Sequence, residues 1–176
     1  LNGGDPHMQR EFHKLVEKLI NIEGIEDIVL TTNGDLLRQN AQALYDAGLR
    51  RLNMSLDALD PDIFGELNGR GFKPDLILSN IEHAQQIGFE IKVNMVVQKG
   101  VNESEILPMA AYFKERGITL RYIEFMDVGN DNGWSCEKVV PKKATYDMLS
   151  EVYDMETAEE HYLGKIAKRN PLLEKW

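Results

Sequence analysis

The chain has 176 residues, of which 43% are hydrophobic and 28% charged, and its formal net charge is −9 at pH 7. This composition is typical of a globular domain, and the acidic balance argues against a nucleic-acid-binding surface, which is normally basic. No stretch approaches the ~20 apolar residues of a membrane span, so we expect a cytoplasmic protein without membrane contact. The single cysteine, Cys136, excludes an internal disulfide framework and a four-cysteine metal site within the chain.

Helices and strands alternate along the chain. Apolar spacing predicts an amphipathic helix over roughly residues 9–22, a short strand at 28–30 and a second helix that ends at Gly48. A strand at 52–55, a helical turn from Pro61 and a long helix ending at Gly88 follow. Later strands are predicted at 91–97 and 120–125, and a last helix at 142–153. Between these strands, Asn102 to Glu105 has the spacing of a capping box.

Single helices between strands imply crossover connections, and these pair strands in parallel. Both an open doubly wound sheet and the arc of an α/β barrel satisfy this pattern. Polar residues lie at the C-terminal ends of successive strands, where barrels build their sites, which favours the arc. These polar residues are Thr31, Ser55, Asn94 and Glu124, and Met126 lies at the same rim. We therefore predict an α/β fold in which residues 1–135 form the arc of a partial (β/α)6 TIM-type barrel that is incomplete at its N-terminus. Residues 136–176 are expected to begin a C-terminal region.

Lys92 and Asn94 are the strongest candidates for chemistry, because strand alternation directs both into the barrel interior. A buried lysine is costly unless it meets an anion. The alternative is an open arc in which Lys92 reaches water. Glu124 invites the same argument. By contrast, the Gly3-Gly4-Asp5 and Thr31–Gly34 segments are also consistent with ordinary turns.

Several short segments, taken in order, resemble the radical S-adenosylmethionine superfamily and, within it, the GTP 3′,8-cyclases of molybdenum-cofactor biosynthesis. The similarity extends from Leu1 to about Lys168. The matching segments are residues 3–6, 24–34, 47–57, 92–94, 99–102, 123–129 and 130–134.

The resemblance implies roles for six residues. Gly4, Asp5, Ser55 and Met126 would contact S-adenosylmethionine, with Asp5 near its amino group, whereas Thr31 and Lys92 would bind GTP. In such lyases a [4Fe–4S] cluster reductively cleaves S-adenosylmethionine, and the adenosyl radical abstracts hydrogen from the GTP ribose. The product is (8S)-3′,8-cyclo-7,8-dihydroguanosine 5′-triphosphate. GTP is then the expected partner. The sequence leaves the oligomeric state open, with a homodimer as one candidate.

The cluster ligands of the family fall outside this chain. One set of three cysteines belongs upstream of Leu1 and a second beyond the C-terminus, and Cys136 matches neither. Asn2 and Asp5 stand where the family usually has Thr and Glu. We therefore assign no catalytic residue and no metal ligand, and expect a fragment that is inactive alone. Two alternatives remain: another radical S-adenosylmethionine enzyme, or a degenerate non-catalytic α/β module that binds a partner.

Overall fold

The computed structural model describes residues 11–68, 73–127 and 134–156, together with the backbone of 172–174. Among these residues the helices are α1 (Phe12–Ile20), α2 (Leu37–Asp46), α3 (Pro61–Asn68), α4 (Pro74–Ile87), α5 (Ile106–Glu115) and α6 (Lys142–Ser150). The strands are β1 (Val29–Thr32), β2 (Arg51–Ser55), β3 (Glu90–Val97), β4 (Thr119–Glu124), β5 (Tyr153–Met155) and β6 (Leu172–Glu174). No helix in these ranges combines the length and the apolar character that crossing a bilayer requires.

The first four strands form one parallel sheet in chain order, β1-β2-β3-β4. An open doubly wound sheet reverses its strand order at a switch point, and no such reversal occurs within these four strands. The prediction of a parallel α/β arc is therefore confirmed.

The core lies between one face of this sheet and the helices. The strand side chains on this face include Leu30, Leu52, Met54, Val93 and Met95, each with at most 1% of its surface exposed. Helix side chains complete the core: Leu37, Ala41, Leu44, Ile77, Ile81, Ala84, Met109 and Phe113. Full burial of each large side chain contributes about 1.5–3 kcal/mol, so this face accounts for most of the fold's hydrophobic stabilisation.

The C-terminal part of the described chain packs on the same core. Val140, Leu149 and Tyr153 join the hydrophobic cluster of the sheet. The predicted helix at 142–153 ends at Ser150, and Tyr153–Met155 instead pairs antiparallel with Leu172–Glu174. Sequence reasoning missed this small second sheet because three residues are too few to show a strand period.

Loop glycines end two of the predicted helices as expected. Gly48 and Gly88 follow α2 and α4 with φ of 102° and 114°, a left-handed backbone that glycine adopts without steric cost.

Candidate functional site

The sheet face that points away from the helices is polar. Strand pairing aligns Thr31, Asn53, Lys92 and Thr119 in one row across all four strands. The next row toward the C-terminal edge holds Ser55, Asn94 and Arg121. Adjacent strands lie about 4.8 Å apart, so each row is a continuous line of polar side chains. This surface is called the inner face below.

The inner face carries three cations in successive rows, Arg51, Lys92 and Arg121. The Lys92 side chain is only 13% exposed, and its Nζ lies 3.0 Å from a carboxylate oxygen of Glu90. Arg121 lies one row further on, and its Nη2 donates to Asn53 Oδ1 at 2.7 Å. Lys92 therefore keeps its charge in a largely desolvated position through the Glu90 carboxylate, which is itself 58% exposed.

Asn94 presents an acceptor to the inner face between Ser55 and Arg121. Its Oδ1 is buried and has no hydrogen-bond partner among the described residues. Leaving such an acceptor unpaired costs about 1–3 kcal/mol. A bound molecule carrying an ammonium or hydroxyl donor would satisfy it.

The loop after β1 is fixed from two sides. Gly34 N donates to Thr32 Oγ1 at 3.0 Å, which closes the turn. From α4, the fully buried Asn80 donates its Nδ2 to the carbonyls of Gly34 at 2.8 Å and Asp35 at 3.3 Å. This segment is therefore an ordered turn at the edge of the inner face, three residues beyond Thr31.

The loop after β2 is tied to the loop after β3 by Asn102. Its Nδ2 donates to the carbonyls of Asp57 at 2.8 Å and Val96 at 2.9 Å, and its Oδ1 accepts from Gln98 N at 2.7 Å. The prediction of a capping box at Asn102 is wrong. The Asn102 side chain makes no cap hydrogen bond, because its amide is bonded to the backbone of these two loops instead.

Two carboxylates complete this connection. Asp57 Oδ1 accepts from Val96 N at 2.8 Å, and Glu105 Oε2 accepts from Leu59 N at 2.6 Å and Asp60 N at 3.0 Å. Burial raises the pKa of the Asp57 carboxyl, and the bond from Val96 N opposes the rise. Glu105 is likewise buried although it carries a carboxylate.

The predicted site residues do not all share one environment. Thr31, Ser55 and Lys92 lie on the inner face, Thr31 and Lys92 in the same row. Met126 lies two residues beyond β4 and is 58% exposed. Gly4 and Asp5 lie outside the described residues.

The expectation that Glu124 faces the barrel interior is wrong. Glu124 lies on the helix side of β4, and its Oε1 accepts a hydrogen bond from Lys142 N at 2.5 Å. It therefore anchors the start of α6 rather than facing the barrel interior.

The described residues do not fit an iron–sulfur cluster. No group of three or more His, Cys, Asp or Glu side chains that could hold a metal occurs among them, and Cys136 is exposed and alone. A [4Fe–4S] cluster needs several thiolates, so no step through a cluster is derived from these residues.

One comparison decides the family: the sequence profile described as the Radical SAM superfamily matches residues 1–113. The chain belongs to the radical SAM superfamily. Two relatives, from Staphylococcus carnosus and Staphylococcus haemolyticus, are 54% and 50% identical over 168 residues, and both are named GTP 3′,8-cyclase. The match covers 96% of this chain and 49% of each relative, so the chain spans about half their length.

A solved structure of TYW1 with a lysine–pyruvate adduct bound shows the same fold. It superposes with a TM-score of 0.59 over 91% of this chain and 51% of that chain, at 16% identity. At this identity the likeness establishes the fold of this radical SAM chain and nothing about its ligand.

Sequence reasoning missed four polar residues around the radical SAM sheet: Asn53, Arg121, Asn80 and Asn102. The first two carried a signal, since Asn53 stands between the apolar Leu52 and Met54, and Arg121 between Leu120 and Tyr122. Asn80 carried none, because its partners lie 45–46 residues away in the chain. The capping-box spacing singled out Asn102, but its bond to Asp57 spans 45 residues and left no signal.

Proposed function

We propose that this chain provides the substrate- and cofactor-binding arc of a GTP 3′,8-cyclase that acts in molybdenum-cofactor biosynthesis. The observation that carries the proposal is the largely buried Lys92 on the inner face, with Arg121 in the next row. Identities of 54% and 50% to relatives named GTP 3′,8-cyclase support it. The triphosphate of GTP would take the place of the 58% exposed Glu90 carboxylate as the anionic partner of Lys92.

GTP is proposed to lie across the first row of the inner face. Lys92 would contact the phosphates of GTP. At the other end of the row, the Thr31 hydroxyl would donate a hydrogen bond to GTP or accept one from it. Two strand spacings separate these residues, roughly 10 Å, which a bound nucleotide can bridge. Burial of Lys92 makes its attraction for phosphate less sensitive to screening by salt.

S-adenosylmethionine is proposed to lie at the C-terminal edge of the same sheet. Ser55 and the unpaired acceptor of Asn94 share a row and offer it hydrogen bonds. Met126, Gly4 and Asp5 are the further proposed contacts, with Asp5 near the amino group. When bound, S-adenosylmethionine supplies the radical chemistry, and the residues of this chain hold the two ligands in adjacent rows.

The remaining features of the proposal concern the whole protein. Residues 1–135 would form the partial barrel, and residues 136–176 would begin the C-terminal region. The [4Fe–4S] clusters would rest on residues other than those described, and the protein would be a cytoplasmic homodimer.

The test is binding and turnover by the complete gene product that contains this chain. We expect GTP and S-adenosylmethionine to bind together and GTP to be converted to its 3′,8-cyclised product, detected by mass spectrometry. Lys92→Met should raise the Kd for GTP about 10- to 100-fold, since a charged hydrogen bond contributes about 1.5–3 kcal/mol.

Lys143→Met is the matched control, because Lys143 is 84% exposed and pairs with Asp147 one turn away in its own helix. It should leave the Kd for GTP unchanged. Binding of S-adenosylmethionine without GTP would instead favour a different radical SAM enzyme. Binding of neither ligand would favour the non-catalytic module.

A further inference from the structure

Two asparagines, Asn80 and Asn102, are fully buried, with none of their surface exposed. Each connects a different loop at the C-terminal edge of the sheet to a neighbouring element. Asn80 reaches from α4 to the loop after β1, and Asn102 reaches from the loop after β3 to the loop after β2. They are the only asparagines buried in this way among the described residues.

The two loops carry different proposed ligand contacts. The loop held by Asn80 follows Thr31, the proposed GTP contact, directly in the chain. The loop held by Asn102 follows Ser55, the proposed contact to S-adenosylmethionine. Neither asparagine lies in the two rows of the inner face, so neither is placed to touch a ligand there.

Side-chain hydrogen bonds from Asn102 take the place of the backbone ladder where β2 ends. The β2–β3 ladder ends at Ser55 and Asn94, with one further bond from Leu56 N to Asn94 O at 3.0 Å. Beyond that point the carbonyls of Asp57 and Val96 both accept from the single Nδ2 of Asn102. Together with the bond from Val96 N to Asp57 Oδ1, the amide sets the separation of the two strand ends that carry Ser55 and Asn94.

Asn80 sets the loop after β1 by equivalent chemistry. Its Nδ2 is shared between the two successive carbonyls of Gly34 and Asp35. Fixing the carbonyl of Gly34 fixes the turn that begins at Thr32, and with it the direction in which β1 presents Thr31. A buried amide is well suited to this, because losing it leaves two carbonyls unsatisfied.

We propose that Asn80 and Asn102 are positioning residues for different ligands. Asn80 positions the loop that follows the nucleoside triphosphate contact Thr31, and Asn102 positions the loop that follows the S-adenosylmethionine contact Ser55. This inference rests on the proposed function. It adds that the two ligand subsites are ordered independently, each with the help of a buried amide that touches neither ligand. Small displacements of ligand-contacting groups are enough to weaken binding substantially.

The experiment measures the Kd of both ligands by calorimetry for Asn80→Ala and Asn102→Ala in the complete gene product, with thermal melting of each variant. Asn102→Ala should raise the Kd for S-adenosylmethionine about tenfold or more and change that for GTP by less than about threefold. Asn80→Ala should show the opposite pattern. Asn21→Ala, at an exposed asparagine that follows α1 and donates its Nδ2 to Glu17 O, should change neither.

A purely structural role would weaken both ligands together or neither, so equal shifts in both Kd values would overturn the inference while leaving the proposed function intact. Wild-type protein that binds neither ligand would overturn both. If an alanine variant does not fold, amide exchange of the wild-type protein decides. Bound S-adenosylmethionine should then slow exchange at Val96 and Leu59 more than at Gly34, and GTP the reverse; uniform slowing would refute the separate assignments.

Discussion

The two faces of the parallel sheet use the same four strands for opposite purposes. On the helix side, alternating residues such as Leu52, Met54 and Val93 are buried and apolar. On the inner face, the residues between them, including Asn53 and Lys92, are polar and only partly buried. Hydrophobic burial stabilises the fold from one side, whereas the other side retains the cations Arg51, Lys92 and Arg121 and the unpaired acceptor of Asn94, which contribute little to folding.

This comparison teaches that stability and binding are separable along a single strand. Moving by one residue changes which of the two a side chain serves, because successive side chains of a strand point to opposite faces. Substitutions on the two faces should therefore give opposite combinations of unfolding free energy and ligand affinity.

The largest effect is expected from placing the wrong residue on the helix side. Leu52→Asn removes a side chain that is 1% exposed and buries an amide in its place. Its cost should be about 3–5 kcal/mol of unfolding free energy, from lost apolar burial and an unpaired polar group. The neighbouring Asn53→Leu should cost only about 1 kcal/mol, because it removes one hydrogen bond from Arg121. Urea denaturation measures both values, and equal costs would contradict the division between faces.

A smaller effect is expected where the apolar face meets the loop after β1. Gly34 has φ of 81°, and a Cβ there would overlap Met54 Cε. Gly34→Ala should destabilise by about 2–4 kcal/mol, since left-handed strain and repacking add. Gly24→Ala is the control, because Gly24 has φ of 88° and open space around it, so it reports strain alone.

The difference between these two glycine variants isolates the steric contribution of Met54, and thermal or urea melting of both gives it. A Gly34→Ala variant no less stable than Gly24→Ala would mean that the apolar packing does not extend to this loop.

The smallest effect concerns pH. Burial raises the pKa of Asp57 in the folded protein, so as pH rises the unfolded chain releases this proton first. The folded state then holds more protons, and stability falls from the ordinary pKa of aspartate, about 3.9, until the folded pKa is passed. Asp57→Asn keeps an acceptor for Val96 N and should remove this fall.

Urea denaturation across a pH series compares Asp57→Asn with wild type. Their difference in unfolding free energy should grow in favour of the variant as pH rises through this window and then level off. Asp46→Asn, at an exposed aspartate that accepts from Gln42, controls for the change in net charge. A constant difference at all pH values would contradict the assigned pKa shift.

The helices and strands of the sheet were predictable because they follow local rules. Periodic apolar residues placed α1 and β3 within a few residues, and Gly48 and Gly88 marked helix ends through their backbone freedom. The interior direction of Lys92 also followed from alternation in β3. The sheet face on which Glu124 lies could not be predicted from the sequence. It depends on the register of β4, and an error of one residue places every side chain of the strand on the opposite face.

Roles that depend on distant partners could not be read from sequence. Asn102 has the spacing of a helix cap, and only the approach of Asp57, 45 residues away, gives its amide a better set of acceptors. In the sequence, Asn80 is similarly indistinguishable from any other polar residue of a helix. Its role becomes visible only in the fold, where its amide donates to the carbonyl of Gly34.

The sequence by itself determined the alternation of helix and strand, the parallel arrangement and the polar character of the inner face, because all three follow from the periodicity of neighbouring residues. Only the tertiary structure decided which polar groups meet: the rows linking Thr31 to Lys92 and Ser55 to Asn94, and the buried amides that hold the loops beyond them. The physical reason is that strand register and long-range hydrogen bonds depend on how the whole core packs, which no short segment specifies.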